Sequence, residues 1–116
     1  MQVTIYHNPK CAKSRETLKL LETHGIKPII IEYLKTPPSK TELAGLVKLL
    51  GIETRALLRT KEPEYKQAGL ANPKLSDSAI LQAMIEHPKL IERPIVVAGR
   101  KAALGRPPEN VLKILK

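Results

Sequence analysis

The stretch "YHNPKCAKSRETL", residues 6–18, holds Cys11, the only cysteine in the chain, close to His7, Lys10, Lys13 and Arg15. A lone thiol cannot close an internal disulfide, which leaves a buried bystander, a metal ligand or a reactive group. His7, His24 and His87 are widely separated and no second thiol exists, so the usual zinc spacings are missing and no metal is expected. A cysteine between a strand end and a helix start lies where unpaired N–H groups and the helix dipole favour a thiolate. Neighbouring cations act in the same direction if their side chains turn inward. The expected chemistry is nucleophilic attack by Cys11 on an oxyanion, with Ser14 placed to cap or hydrogen-bond the thiolate.

Two spacings refine that expectation. Cys11-x-x-Ser14 lacks the second cysteine of a dithiol motif, so any disulfide formed in turnover must use an outside thiol. The residue six places after Cys11 is Thr17 and not arginine, so a phosphatase-type cysteine loop is absent. An anion would need arginines from farther along the chain, because their planar fork binds oxyanions bidentately. Arg59 in "RALLRT", Arg93 in "ERPIVV" and Arg106 in "LGRPP" are the candidates, although Arg15, Arg55 and Arg100 qualify equally on composition. Arg93 precedes Pro94 at the start of an apolar run, where the turn faces the nucleophile in a thioredoxin-like fold.

The elements that must position these residues follow from local pattern. "QVTIYH" alternates and is rich in β-branched residues, predicting a strand over Val3–Tyr6. A helix is expected from Ala12 to Thr23, closed by Gly25. "KPIIIEYL" predicts a second strand, buried and parallel because its centre is continuously apolar. Ser39 and Glu42 have capping-box spacing ahead of Leu43, Leu46, Val47 and Leu50, with Gly51 as the stop. Residues 53–87 carry only short helical segments, the last capped near Ser76 or Asp77. A hairpin, Ile95–Ala98 with Lys101–Leu104, and a final helix opened by Pro107 and Pro108 complete the chain. The resulting fold class is α/β: a thioredoxin-like fold with a mixed four-stranded sheet and a helical insert, expected as one domain over residues 1–116.

Composition narrows the partners. The chain carries 20 Lys and Arg against 11 Asp and Glu, a formal charge of +9, so an anionic partner suits it. Aromatic residues are 3% of the chain and the cations are dispersed, which argues against nucleic acid. No stretch approaches the roughly 20 apolar residues of a membrane span, and the N-terminal residues lack a signal-peptide pattern, so a cytoplasmic protein is expected.

Five segments in order, "YHNPKCAKSRETL", "YLKTPPSKTEL", "RALLRT", "HPKLIERPIVV" and "GRPPENVLKIL", resemble the glutaredoxin-dependent arsenate reductase family of bacteria, the ArsC type. The resemblance implies reduction of arsenate to arsenite with glutathione as co-substrate, glutaredoxin as partner and no bound cofactor. It places the nucleophile on Cys11, the oxyanion-binding arginines on Arg59, Arg93 and Arg106, and supporting roles on His7, Ser14 and a cis Pro94. His7 would then lower the Cys11 pKa by charge or hydrogen bonding. The loop "AKSR" stands where familiar members carry Gly-Thr before Ser-Arg, and resembles a shorter, reductase-like branch. Two other readings stay open on the residues: an Spx-like regulator binding RNA polymerase, and a monothiol oxidoreductase acting on glutathionylated substrates.

Overall fold

The computed structural model describes residues 2–115. Its strands and helices run β1 (Val3–His7), α1 (Ala12–Thr23), β2 (Ile29–Glu32), α2 (Lys40–Leu50), α3 (Pro63–Gln67), α4 (Asp77–Glu86), β3 (Ile95–Ala98) and β4 (Lys101–Leu104). Short 3-10 helices occupy Thr54–Leu57, Pro88–Leu90 and Pro108–Ile114. The chain divides into two compact units. One joins the chain up to Thr36 to the chain from Arg93 onward, and the other is Pro37–Glu92.

The first unit contains the sheet, ordered β2-β1-β3-β4. β1 pairs parallel with β2 and antiparallel with β3, and β3 pairs antiparallel with β4, so the sheet is mixed as the thioredoxin-like arrangement requires. The two-residue turn between β3 and β4 works because Gly99 takes a left-handed φ of 62°. Val3, Ile5, Leu21, Val96, Ala98, Val111 and Ile114 form the core, joining β1, β3, α1 and the last 3-10 helix. An aliphatic core without Phe or Trp is what the composition allows. β2 departs from expectation, because Ile29 and Ile30 are 45% and 48% exposed. A parallel strand is buried only where elements cover it, and β2 lies at the sheet edge.

α1 has the expected limits and is followed by Gly25 at φ 76°. The closing segment is a 3-10 helix instead of an α-helix: Asn110 N–H donates to the Pro107 carbonyl, 3.0 Å, and Leu115 N–H to that of Leu112, 3.3 Å. It packs on α1 and β4.

The second unit is the helical insert. Ser39 caps α2 by accepting from Glu42 N–H at 3.1 Å, and Ser76 caps α4 by accepting from Ala79 N–H at 3.1 Å. α4 packs against α2 and against the 3-10 helices Thr54–Leu57 and Pro88–Leu90. An isolated antiparallel bridge pairs Leu58, just after the first of these 3-10 helices, with Ile91, just after the second. No helix among the described residues is long and apolar enough to cross a membrane.

Candidate active site

Cys11 is the N-cap of α1, with an extended φ of −96° and ψ of 124°. Its own N–H donates to the Asn8 carbonyl at 3.0 Å, and Lys10 N–H donates to Asn8 Oδ1 at 3.0 Å, closing a tight Asx-type turn over residues 8–11. Asn8 N–H in turn donates to Ser14 Oγ, 3.0 Å away and fully buried. The loop carrying the thiol is therefore tied to both β1 and α1. Cys11 itself remains half-buried and reachable.

Burial pushes the Cys11 thiol up, but the Ser14 N–H, the Arg93 guanidinium by hydrogen bond and charge, and the Lys13 N–H together outweigh it. The thiol pKa consequently lies below its ordinary value. The sulfur forms no cap hydrogen bond of good geometry, so the two backbone N–H groups act as partial charges at the open helix end. Arg106 completes the setting. Its Nε donates to the Arg93 carbonyl at 2.8 Å, and its Nη2 lies 3.9 Å from Cys11 Sγ. Arg93 thus serves twice, as a cation for the thiolate and as the anchor that aims the second guanidinium.

Three expectations change. The side chains of Lys10, Lys13 and Arg15 do not provide the charge that lowers the thiol pKa. Lys13 pairs with Glu16 at 3.5 Å and Arg15 donates to the Pro9 carbonyl at 3.1 Å. Lys13 and Arg15 stand in the first turn of α1, where side chains radiate outward, so closeness in sequence did not bring them to the sulfur. The Ser14 hydroxyl does not reach Cys11 either, because it lies 2.6 Å from His7 Nδ1. Its backbone N–H makes the contribution instead. His7, finally, is not a cation beside the thiol. Burial, opposed by Glu32 and reinforced by Arg15, holds its pKa below the ordinary 6.5, leaving a neutral imidazole at pH 7.

The first unit therefore gathers Cys11, His7, Ser14, Arg93, Pro94 and Arg106. The Arg93–Pro94 and Arg106–Pro107 bonds are both cis. Arg59 belongs to the second unit, where its Nε and Nη1 each lie 3.2 Å from a carboxylate oxygen, of Glu62 and Glu92 respectively.

Sequence reasoning missed Asn8, Thr17 and Gly105. Asn8 had a signal, since Asn ahead of Pro-Lys is turn chemistry. Gly105 N–H donates to the Pro94 carbonyl at 2.9 Å. A methyl group on Gly105 would collide with Thr17 Oγ1 and come within 2.7 Å of Pro94 Cγ. This close approach brings the Arg106 segment against the start of β3. Thr17 is fully buried and donates to the Lys13 carbonyl at 2.7 Å.

A half-buried thiolate facing two guanidiniums can attack the centre of an oxyanion whose oxygens the arginines hold. The ArsC family pattern matches residues 6–114. The chain belongs to the ArsC family. An arsenate reductase of Haemophilus influenzae is 54% identical over 116 residues, covering 99% of this chain and 100% of that protein. The uncharacterized protein YfgD of Escherichia coli K12 is also 54% identical, over 98% of this chain and 97% of its own length. The solved structure of an arsenate reductase from Vibrio cholerae is 59% identical and superposes with a TM-score of 0.97, covering 99% of this chain and 98% of that one. Likeness at this level over both full lengths extends to the fold of this ArsC chain, sheet and insert alike.

Proposed function

We propose that this chain is an arsenate reductase, with Cys11 as nucleophile and with glutathione and glutaredoxin as the reductant. The observation that carries the reading is the Cys11 thiol, its pKa held below the ordinary value, with the Arg106 guanidinium 3.9 Å from its sulfur, in a chain whose relatives include named arsenate reductases. Cys11 Sγ bonds to arsenic as one arsenate oxygen leaves as water, while Arg93 and Arg106 neutralise the remaining oxygens. Glutathione thiol then displaces a second oxygen as water. A glutaredoxin thiolate attacks the glutathione sulfur, a sulfur–sulfur bond forms, and the electron pair of the broken sulfur–arsenic bond reduces As(V) to As(III). Water releases arsenite and returns Cys11. One arsenate and two thiols thus yield one arsenite, one mixed disulfide and one water.

The electrons come from thiols, so the scheme needs no bound cofactor, and it suits a cytoplasmic setting where thiols stay reduced. Pro94 holds Arg93 at the start of β3, and His7 acts through Ser14 by fixing the loop that presents Cys11. Arg59 enters as an oxyanion ligand through the family resemblance. The test is protection: arsenate should slow alkylation of Cys11 by iodoacetamide in the wild type and lose most of that effect in Arg106→Ala. Equal protection in the two proteins would remove Arg106 from the anion site.

A further inference from the structure

With one cysteine in the chain, Cys11 can return from any mixed disulfide only when a thiol from outside approaches its sulfur. The cations nearest to it in sequence are not used in its ionisation, which rests on backbone N–H groups and Arg93. Lys10, Lys13 and Arg15 are nevertheless all exposed around that one loop. Arg15 is laid against the loop through the Pro9 carbonyl. Lys13 meets Glu16 at 3.5 Å with the two side chains 47% and 54% exposed, a screened pair that leaves the lysine available. Across residues 7–17 the three cations face a single carboxylate, Glu16. An exposed like-charged rim around a reaction centre raises the encounter rate of an oppositely charged partner and makes that rate salt-dependent.

We propose that Lys10, Lys13 and Arg15 form a docking rim for the acidic face of the protein thiol donor that attacks a glutathione sulfur held at Cys11. This rests on the reductase reading only in needing such a donor. The test uses no arsenate, so its failure is separate from failure of that reading. Cys11 is first converted to its mixed disulfide with glutathione. The donor thiolate attacks the glutathione sulfur, the bond to Cys11 breaks, a new disulfide forms on the donor, and Cys11 leaves as thiolate.

Release is followed with three probes, a glutaredoxin, free glutathione and uncharged 2-mercaptoethanol, in the wild type, Lys10→Gln and the double variant Lys10→Gln/Lys13→Gln. The glutaredoxin rate constant should fall roughly tenfold in the double variant and fall steeply with added NaCl, while the 2-mercaptoethanol rate stays unchanged. A glutaredoxin rate indifferent to salt and to both substitutions overturns the proposal. So does an equal loss with 2-mercaptoethanol, which would mean a perturbed thiol, or an equal loss with free glutathione, which would mean a funnel for small anions only.

Discussion

Replacing Gly105 with alanine tests how Arg106 is held at the thiol. The added methyl would collide with Thr17 Oγ1, approach Pro94 Cγ to 2.7 Å and Thr17 Cγ2 to 3.0 Å. Thr17 is fully buried and its hydroxyl is engaged with the Lys13 carbonyl, so the neighbours cannot simply swing away. Overpacking of this kind costs about 1–3 kcal/mol. With an unfolding entropy of about 2.1 cal/mol/K per residue, a chain of this length loses about 4 °C of Tm per kcal/mol, so a fall of about 4–12 °C is expected. The strain lies next to Arg106 and against Pro94, and a displacement near 1 Å there should lower kcat/KM for arsenate by up to about 100-fold. Calorimetry and steady-state kinetics on Gly105→Ala read both effects. Gly45→Ala is the control, because nothing lies within 4 Å of the added methyl in the middle of α2, and it should hold or raise Tm. Truncating Thr17 to alanine in the Gly105→Ala background should recover part of the loss. An unchanged Tm and unchanged kcat/KM in Gly105→Ala would refute the close-approach argument.

Arg93→Met should move the pH midpoint of Cys11 alkylation by iodoacetamide upward, since it removes the guanidinium whose hydrogen bond and charge oppose the effect of burial. Because the folded thiol pKa is depressed, the stability it supplies is present above the unfolded value and lost as pH falls through the folded one, and Arg93→Met should narrow that window. His7 also has a depressed folded pKa, so its contribution is complete above about 6.5 and declines as pH drops through the lower folded value. His7→Gln should flatten the stability curve as pH falls below about 6.5 in urea titrations, and an unaltered acid dependence would place that sensitivity elsewhere. Arg59→Met leaves Glu62 and Glu92, each about three-quarters buried, without their shared cation. It should cost about 1–3 kcal/mol in denaturant unfolding, and no loss would make those pairs ornamental to stability.

Features set by local chemistry were legible in the sequence. The limits of α1, the Ser39 and Ser76 caps and the glycine turn between β3 and β4 depend on residues a few positions apart. What was not legible depends on which element covers which. The three isoleucines of β2 read as a buried strand, yet their strand lies at the edge of the sheet and two of them face solvent. The thiol illustrates the same division. Its place at a helix start could be read from "NPKC", but its charge partner could not, because Arg93 is 82 positions away and arrives through antiparallel pairing of β1 with β3. Lys10, Lys13 and Arg15 are nearer along the chain but do not supply that charge. His7 and Ser14 could be singled out from the sequence around Cys11, while their bond to each other depended on the register between β1 and α1. Gly105 gave no sequence signal, since only the packed neighbours of its missing side chain explain it.

The most direct test of the central claim is NADPH consumption with arsenate, glutathione, glutaredoxin and glutathione reductase, comparing wild type with Cys11→Ser. The account predicts arsenate-dependent oxidation in the wild type and none above background in the variant. Equal rates in the two proteins, or no arsenate-dependent rate in either, would contradict it.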